Sequence, residues 1–241
     1  MRAFTNTDLI ESRTKWAKRI APLTMLFLVG GLITNFLSIN QPDYFRPTLI
    51  LLALGFTLSI FSSNLVNAWV REPRADQALT STLKKFGNDF ILFHHTAAVP
   101  HVLLTPNRLY AIVAKRQPGD ISVRGDRISR KFSWMRVLRY FAEEGLGAPM
   151  LEAQNRAKKL TKSLSNQLEA EAMPEISPLV VFTNPGVELT VESPAVPVMR
   201  LNQLKTYLRD NDKQRAISAE QRNTLVSVLG NGHPEESSKK K

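Results

Sequence analysis

The chain has 241 residues, no cysteine, a formal charge of +11 and a pI of about 10.1. The lack of cysteine excludes disulfides, thiolate metal sites and a cysteine nucleophile. The basic balance suits contact with anionic lipid or nucleic acid, although basic residues flanking a membrane segment produce the same excess through topology alone.

Two runs, Ile20 to Ile39 and Pro47 to Trp69, carry no charged side chain. As helices, each would cross the roughly 30 Å of a bilayer's hydrocarbon core. The chain therefore reads as a two-helix transmembrane hairpin followed by an α/β domain. The predicted segments are a basic cytoplasmic N-terminus (1–19), a first span (20–39), an external loop (40–46), a second span (47–70), a cytoplasmic domain (71–229) and a disordered basic tail (230–241). Arg2, Arg13, Lys15, Lys18 and Arg19 precede the first span, and Arg71, Arg74, Lys84 and Lys85 follow the second. This bias predicts a multi-pass protein of the cell membrane with both termini in the cytoplasm. A cleaved signal peptide is the competing reading of the first run, but its apolar stretch is long for that and a second span follows at once. Small and polar residues at spacing four, Gly30, Thr34 and Ser38, then Gly55, Ser59, Ser63 and Asn67, predict the stripes along which the two helices pack. Neither span holds an ionisable residue, which argues against a transport path.

Beyond the break at Arg71-Glu72-Pro73-Arg74, Ala75 to Phe86 reads as a helix with Leu79, Leu83 and Phe86 on its apolar face. Strands are predicted over Phe90 to Val99, Val102 to Leu104, Leu109 to Lys115 and Ile121 to Val123. A tight turn falls at Thr105 to Arg108. Three strands in so short a stretch indicate an antiparallel meander. Ser133 to Glu144 reads as an amphipathic helix, and Met150 to about Ala172 as a long one with Leu160, Leu164 and Leu168 at spacing four. Leu179 to Thr183 is apolar throughout, as a buried central strand would be. Short strands at Leu189 to Glu192 and Val196 to Met199 follow, then helices over Leu201 to Leu208 and Ser218 to Leu229. The last opens with a capping box of Ser218 and Gln221. The order predicts a mixed sheet flanked by helices, with Leu103, Ile112, Leu164 and Val181 in one core.

Particular strings within this order resemble the nuclease-related domain (NERD) family of the restriction-endonuclease-like PD-(D/E)xK superfamily. The best match runs from Pro100-His101-Val102-Leu103-Leu104 through the turn to Leu109-Tyr110-Ala111-Ile112-Val113-Ala114-Lys115, followed by Gly119 and Ile121. Ala148-Pro149 leading to Gln154, Val180-Val181-Phe182-Thr183, Val196-Pro197-Val198, and the helix with Leu201 and Leu204 extend it over roughly residues 72–210. The resemblance implies a restriction-endonuclease-like fold. It implies a metal-dependent site in which an Asp and a Glu on adjacent strands hold Mg²⁺, beside a Lys.

At those positions this chain carries Pro100 in place of the Asp and Val113 in place of the Glu. Lys115 is retained, and Asp76 stands near the family's helical Glu. Without the two acids, the resemblance implies a nuclease-like domain that has lost catalysis and serves in binding or scaffolding. Two alternatives are a Mg²⁺-dependent DNA-processing enzyme with rearranged acids and a module that binds anionic lipid surfaces. No cofactor is expected except Mg²⁺ under the enzyme reading.

Other candidates have structural explanations beside the functional ones. His101 is a conceivable metal ligand, but alternation puts His94 and His95 on opposite faces, so only one of them is expected to join it. Asp89 and Asp120 lie in turn strings, where Asp is common for backbone reasons. Arg124, Arg127, Arg130, Lys131, Arg136 and Arg139, interleaved with Phe132 and Trp134, form a predicted basic surface. Such a surface suits a membrane interface or a nucleic-acid backbone, with a solvated charged edge as the plain alternative.

Overall fold

The computed structural model describes residues 1–131, 145–168, 173–211 and 216–236. The chain forms two units, which are described separately. One is built from residues 7–74. The other contains residues 1–6 and the described residues from 75 onward, apart from Gly145.

The first unit is a helical hairpin. Helix α1 spans Thr7–Ser38 and helix α2 spans Phe45–Trp69, joined through a short 3₁₀ turn at Pro42–Tyr44. Helix α1 starts well before the apolar run and takes in the charged segment predicted as a plain N-terminal extension. The buried positions recur at spacing seven: Ile10, Ala17, Thr24 and Gly31 on α1, and Thr48, Gly55 and Ser62 on α2. A seven-residue repeat keeps one seam of each helix facing its partner. Gly55 was expected at the contact. On α1 the seam passes through Gly31, and Gly30 lies beside it. A Cβ on Gly31 would sit 2.7 Å from Leu52 Cδ2, and one on Gly55 would sit 2.7 Å from Leu28 Cδ2. Each leucine therefore fills the space left by a glycine on the other helix.

The hairpin's exterior is apolar. Leu26, Leu32, Phe36, Ile50 and Phe61 are all exposed, and only 11% of each helix's most apolar window is buried. A water-soluble hairpin would do the reverse, burying large apolar side chains and exposing small polar ones. The hydroxyls of Thr24, Thr34, Thr48 and Thr57 bond back to carbonyls of their own helices, at 2.8–3.1 Å. Each hydroxyl thus finds an acceptor within its own helix. These are two helices long and apolar enough to cross a membrane.

The second unit is a mixed α/β domain. Its strands are β1 (Arg2–Thr5), β2 (Ile91–His94), β3 (His101–Leu104), β4 (Leu109–Lys115), β5 (Gly119–Arg124), β6 (Arg127–Arg130), β7 (Ile176–Phe182), β8 (Val187–Glu192), β9 (Val198–Arg200) and β10 (Glu235–Glu236). Its helices are α3 (Ala75–Leu83), α4 (Pro149–Ser165), α5 (Leu204–Asn211) and α6 (Ala219–Gly230). The main sheet has the order β10-β1-β2-β3-β4-β7-β9, and a second sheet has the order β6-β5-β8. β2, β3 and β4 form the expected meander, and β7 lies parallel to β4 as a buried central strand. Ser218 and Gln221 cap α6 as a capping box, as read from the sequence.

Alternation sorts the main sheet's side chains into two faces. Leu92, Leu103, Tyr110, Ile112, Leu179 and Val181 pack with Leu79 and Leu83 of α3 and Leu204 and Leu208 of α5. Ile91, Phe93, Val102, Leu104, Leu109 and Ala111 pack with Leu160 and Leu164 of α4 and Leu225 and Leu229 of α6. The expectation of one shared core is thus corrected at Leu164, which lies across the sheet from Leu103, Ile112 and Val181.

Several boundaries also move. β2 ends at His94, five residues before the predicted end, because His95 adopts φ +59° and the chain turns. α4 ends at Ser165, and β6 had not been predicted. The predicted helix over Ser133 to Glu144 lies outside the described residues. The largest change is at the termini. β1 inserts between β10 and β2, parallel to β2, with Ala3 and Phe4 buried on opposite faces. Arg2 and Glu235 form an ion pair at 2.7 Å. The domain therefore includes residues 1–6 and 235–236, and the hairpin is an insertion between two of its elements. A fragment starting at residue 71 would leave the edge of β2 unpaired.

Candidate functional site

The positions singled out by the nuclease resemblance fall on both faces of the main sheet. Val113 and Lys115 share a side of β4, as alternation requires. Val113 is fully buried among Ile121, Val123, Met150, Ala153, Val180 and Phe182, so α4 covers the position that the resemblance assigns to an acid. Lys115, at the end of β4, is also buried, with its Nζ 2.8 Å from Glu152 Oε2 on α4. Arg156, one turn further along α4, binds the other oxygen of Glu152 and donates from Nη1 to the carbonyl of Ile112 at 3.1 Å. Partial burial disfavours the Glu152 carboxylate, but the Lys115 hydrogen bond and the Arg156 charge outweigh it and hold its pKa below the ordinary value.

Asp76 belongs to the opposite face. It sits buried in the first turn of α3 and interacts electrostatically with His94 of β2. His94 is on the face of Leu92, and its Nε2 lies 2.9 Å from Thr80 Oγ1 of α3. Its Nδ1 lies 3.1 Å from Nδ1 of His101, which pairs with it across β2 and β3. Both rings are buried, at 1% and 6% exposure. Desolvation pushes the His94 pKa down to about 4 against the opposing pull of Asp76, and pushes His101 well below its ordinary value. The expectation that His94 and His95 point apart is corrected. The left-handed backbone at His95 breaks the alternation, and both rings lie 5.2 Å, centroid to centroid, from the His101 ring. Pro100 is in the turn before β3, where its carbonyl accepts from the His95 N–H at 2.8 Å. Among the described residues, no group of three or more His, Asp or Glu is arranged to hold a metal ion.

The remaining candidates have structural roles. The Asp89 carbonyl accepts from Arg222, and Asp120 lies 3.7 Å from Lys131 Nζ. Arg124 pairs with Glu192 at 2.8 Å. Arg127 stands exposed opposite Arg124, while Arg130 points to the inner side beside Ile121 in register. Glu188 and Glu192 of β8 bring acids to the same outer strip of the small sheet. Arg136 and Arg139 lie outside the described residues. An open groove of about 820 Å³ lies between β8, β9 and α5, lined by Leu189, Val191, Met199, Thr206 and Tyr207 among others, and none of the predicted site residues lines it.

Glu152, Arg156 and Thr80 were missed in the sequence. Glu152 and Arg156 at spacing four are legible as a helical ion pair. That this pair meets Lys115 depends on how α4 docks, which no local pattern encodes. Comparison with known proteins finds no matching family model, no matching curated protein and no matching solved structure.

Proposed function

We propose that this chain is a membrane-anchored, nuclease-like domain without catalysis that serves as a binding or scaffolding module at the bilayer surface. The observation that carries this reading is the division of the site. Val113 is enclosed by α4, Lys115 is engaged by Glu152, and Asp76 lies on the other face of the sheet. Metal-dependent hydrolysis needs its carboxylates and its Lys converging on one attacking water, and this arrangement separates them. The outward apolar surface of the hairpin supports the membrane anchor. Because the hairpin leaves from β1 and returns to α3 of one domain, both of its ends belong on the same side of the bilayer. The flanking basic residues favour the cytoplasmic side.

One observation favours a second reading. Glu152 brings a half-buried carboxylate to Lys115 from a helix, where the family would supply it from the strand. Under that reading the chain is a Mg²⁺-dependent nuclease with rearranged acids. The test is DNA cleavage by the full chain in detergent with Mg²⁺ or Mn²⁺. No cleavage above a metal-free control is expected. Cleavage that is lost in both Lys115→Ala and Glu152→Gln would replace the scaffold reading with the enzyme.

Topology is tested on the same cysteine-free chain. Single cysteines at Asp43 and Ser237 are treated with a membrane-impermeant thiol reagent on intact cells. Labelling is expected at 43 alone. Labelling at 237 alone would reverse the orientation, and labelling at both would remove the hairpin from the membrane.

A further inference from the structure

The nuclease-like reading makes no use of the buried histidine pair, yet the pair joins three elements. His94 of β2 bonds Thr80 of α3 through one ring nitrogen and His101 of β3 through the other. Helix α3 is the first element after the hairpin, nine residues long, and it also packs on the sheet through Leu79 and Leu83. We propose that the His94–His101 pair is an acid-released latch that holds α3 on the sheet at neutral pH and frees it when the surroundings acidify.

The geometry sets the condition for closure. Two Nδ1 atoms 3.1 Å apart share one proton, so one ring donates and the other accepts. A second proton would set two N–H groups head to head. Adding a proton at an outer ring nitrogen instead carries a cost too, because it charges a ring shut away from water. The charged and titratable neighbours are Asp76 from α3, His95 from the turn and Arg156 from α4. Asp76 favours a cation on His94, while His95 and Arg156 oppose charging of the pair. Burial outweighs Asp76, so the closed latch holds its imidazoles neutral. Opening lets them bind protons at the ordinary histidine pKa of about 6.5. The sign follows: the folded pKa values are depressed, so α3 is held most firmly above about pH 6.5. The hold weakens as pH falls from there toward the folded values. A histidine held near 4 and released to about 6.5 makes opening roughly 30-fold more favourable at pH 5 than at pH 7.5.

The test is amide hydrogen exchange of the full chain in detergent between pH 7.5 and 5, corrected for the intrinsic pH dependence of exchange. Opening of α3 is expected to rise at least tenfold while the amides of β4 and β7 stay protected. His94→Gln and His101→Asn keep polar side chains in place but do not titrate, and each should flatten the response. His95→Asn should retain it. A wild-type α3 that is equally protected at both pH values overturns the latch. So does a response that survives in both non-titrating variants, or one lost only in His95→Asn. If either variant fails to fold at pH 7.5, the wild-type imidazole C–H resonances decide. Titration of His94 and His101 in step with α3 release supports the latch, and release without their titration overturns it.

Discussion

A chain carrying Val181→Asp is expected to lose the cooperative unfolding of its α/β domain altogether while the hairpin stays helical. Val181 has no exposed surface and lies on β7, flanked in register by Ala114 of β4 and Met199 of β9. On its face it packs in the cluster of Leu79, Ile112 and Leu204. An ionised carboxylate there has no cation to pair with in that cluster, and even the protonated acid would need hydrogen bonds that apolar neighbours do not offer. A typical domain is stable by only about 5–15 kcal/mol, and an unpaired buried charge costs a large share of that. Loss of exchange protection across β4 and β7, with helical circular dichroism from α1 and α2 retained, is the expected signature. Unchanged protection in those strands would show that β7 is not the central strand.

Phe4→Ala is expected to destabilise the same domain by about 3–5 kcal/mol, the usual cost of truncating a buried aromatic to alanine. Phe4 is buried, stacks on Phe93 with ring centroids 5.4 Å apart and planes 11° from parallel, and closes against Gly230 of α6. The control is Phe36→Ala, which removes the same ring from the exposed face of α1 and should leave the domain's denaturation midpoint in place. Equal, small effects from both would mean that β1 contributes nothing to the sheet. A large effect from Phe4 alone would show that a residue lying before the first apolar helix belongs to the domain that follows the second.

That consequence reaches the proposed topology. If β1 is an inner strand, the domain closes only after residues on both sides of the hairpin are in the same compartment. Under the proposed topology the hairpin has both ends in one compartment, the arrangement that the flanking basic residues also favour. The ion pair of Arg2 with Glu235 also gives one of those basic residues a structural task, so its charge is not surplus for the bilayer.

What the sequence determined by itself is what local patterns encode. Charge-free runs of spanning length marked two helices long and apolar enough to cross a membrane, because such runs are legible in composition alone. The apolar strings at 109–115 and 179–183 marked β4 and β7, since a strand covered on both faces needs apolar residues in succession. Ser218 and Gln221 marked the start of α6, because a capping box satisfies backbone donors within four residues. What only the tertiary structure decided depends on contacts far apart in the chain. Arg2-Ala3-Phe4-Thr5 is too short to show a period, and becomes a strand because β2 and β10 offer it backbone partners. The seam of the hairpin runs at spacing seven through Gly31, because the two helices' leucines need glycines opposite them. His95 escapes alternation because the chain reverses there. Asp76 and Lys115, both named from one resemblance, end on opposite faces because α3 and α4 pack on opposite sides of the same strands. A strand's alternation tells which residues share a face, but which helix covers that face is decided only when the helices dock.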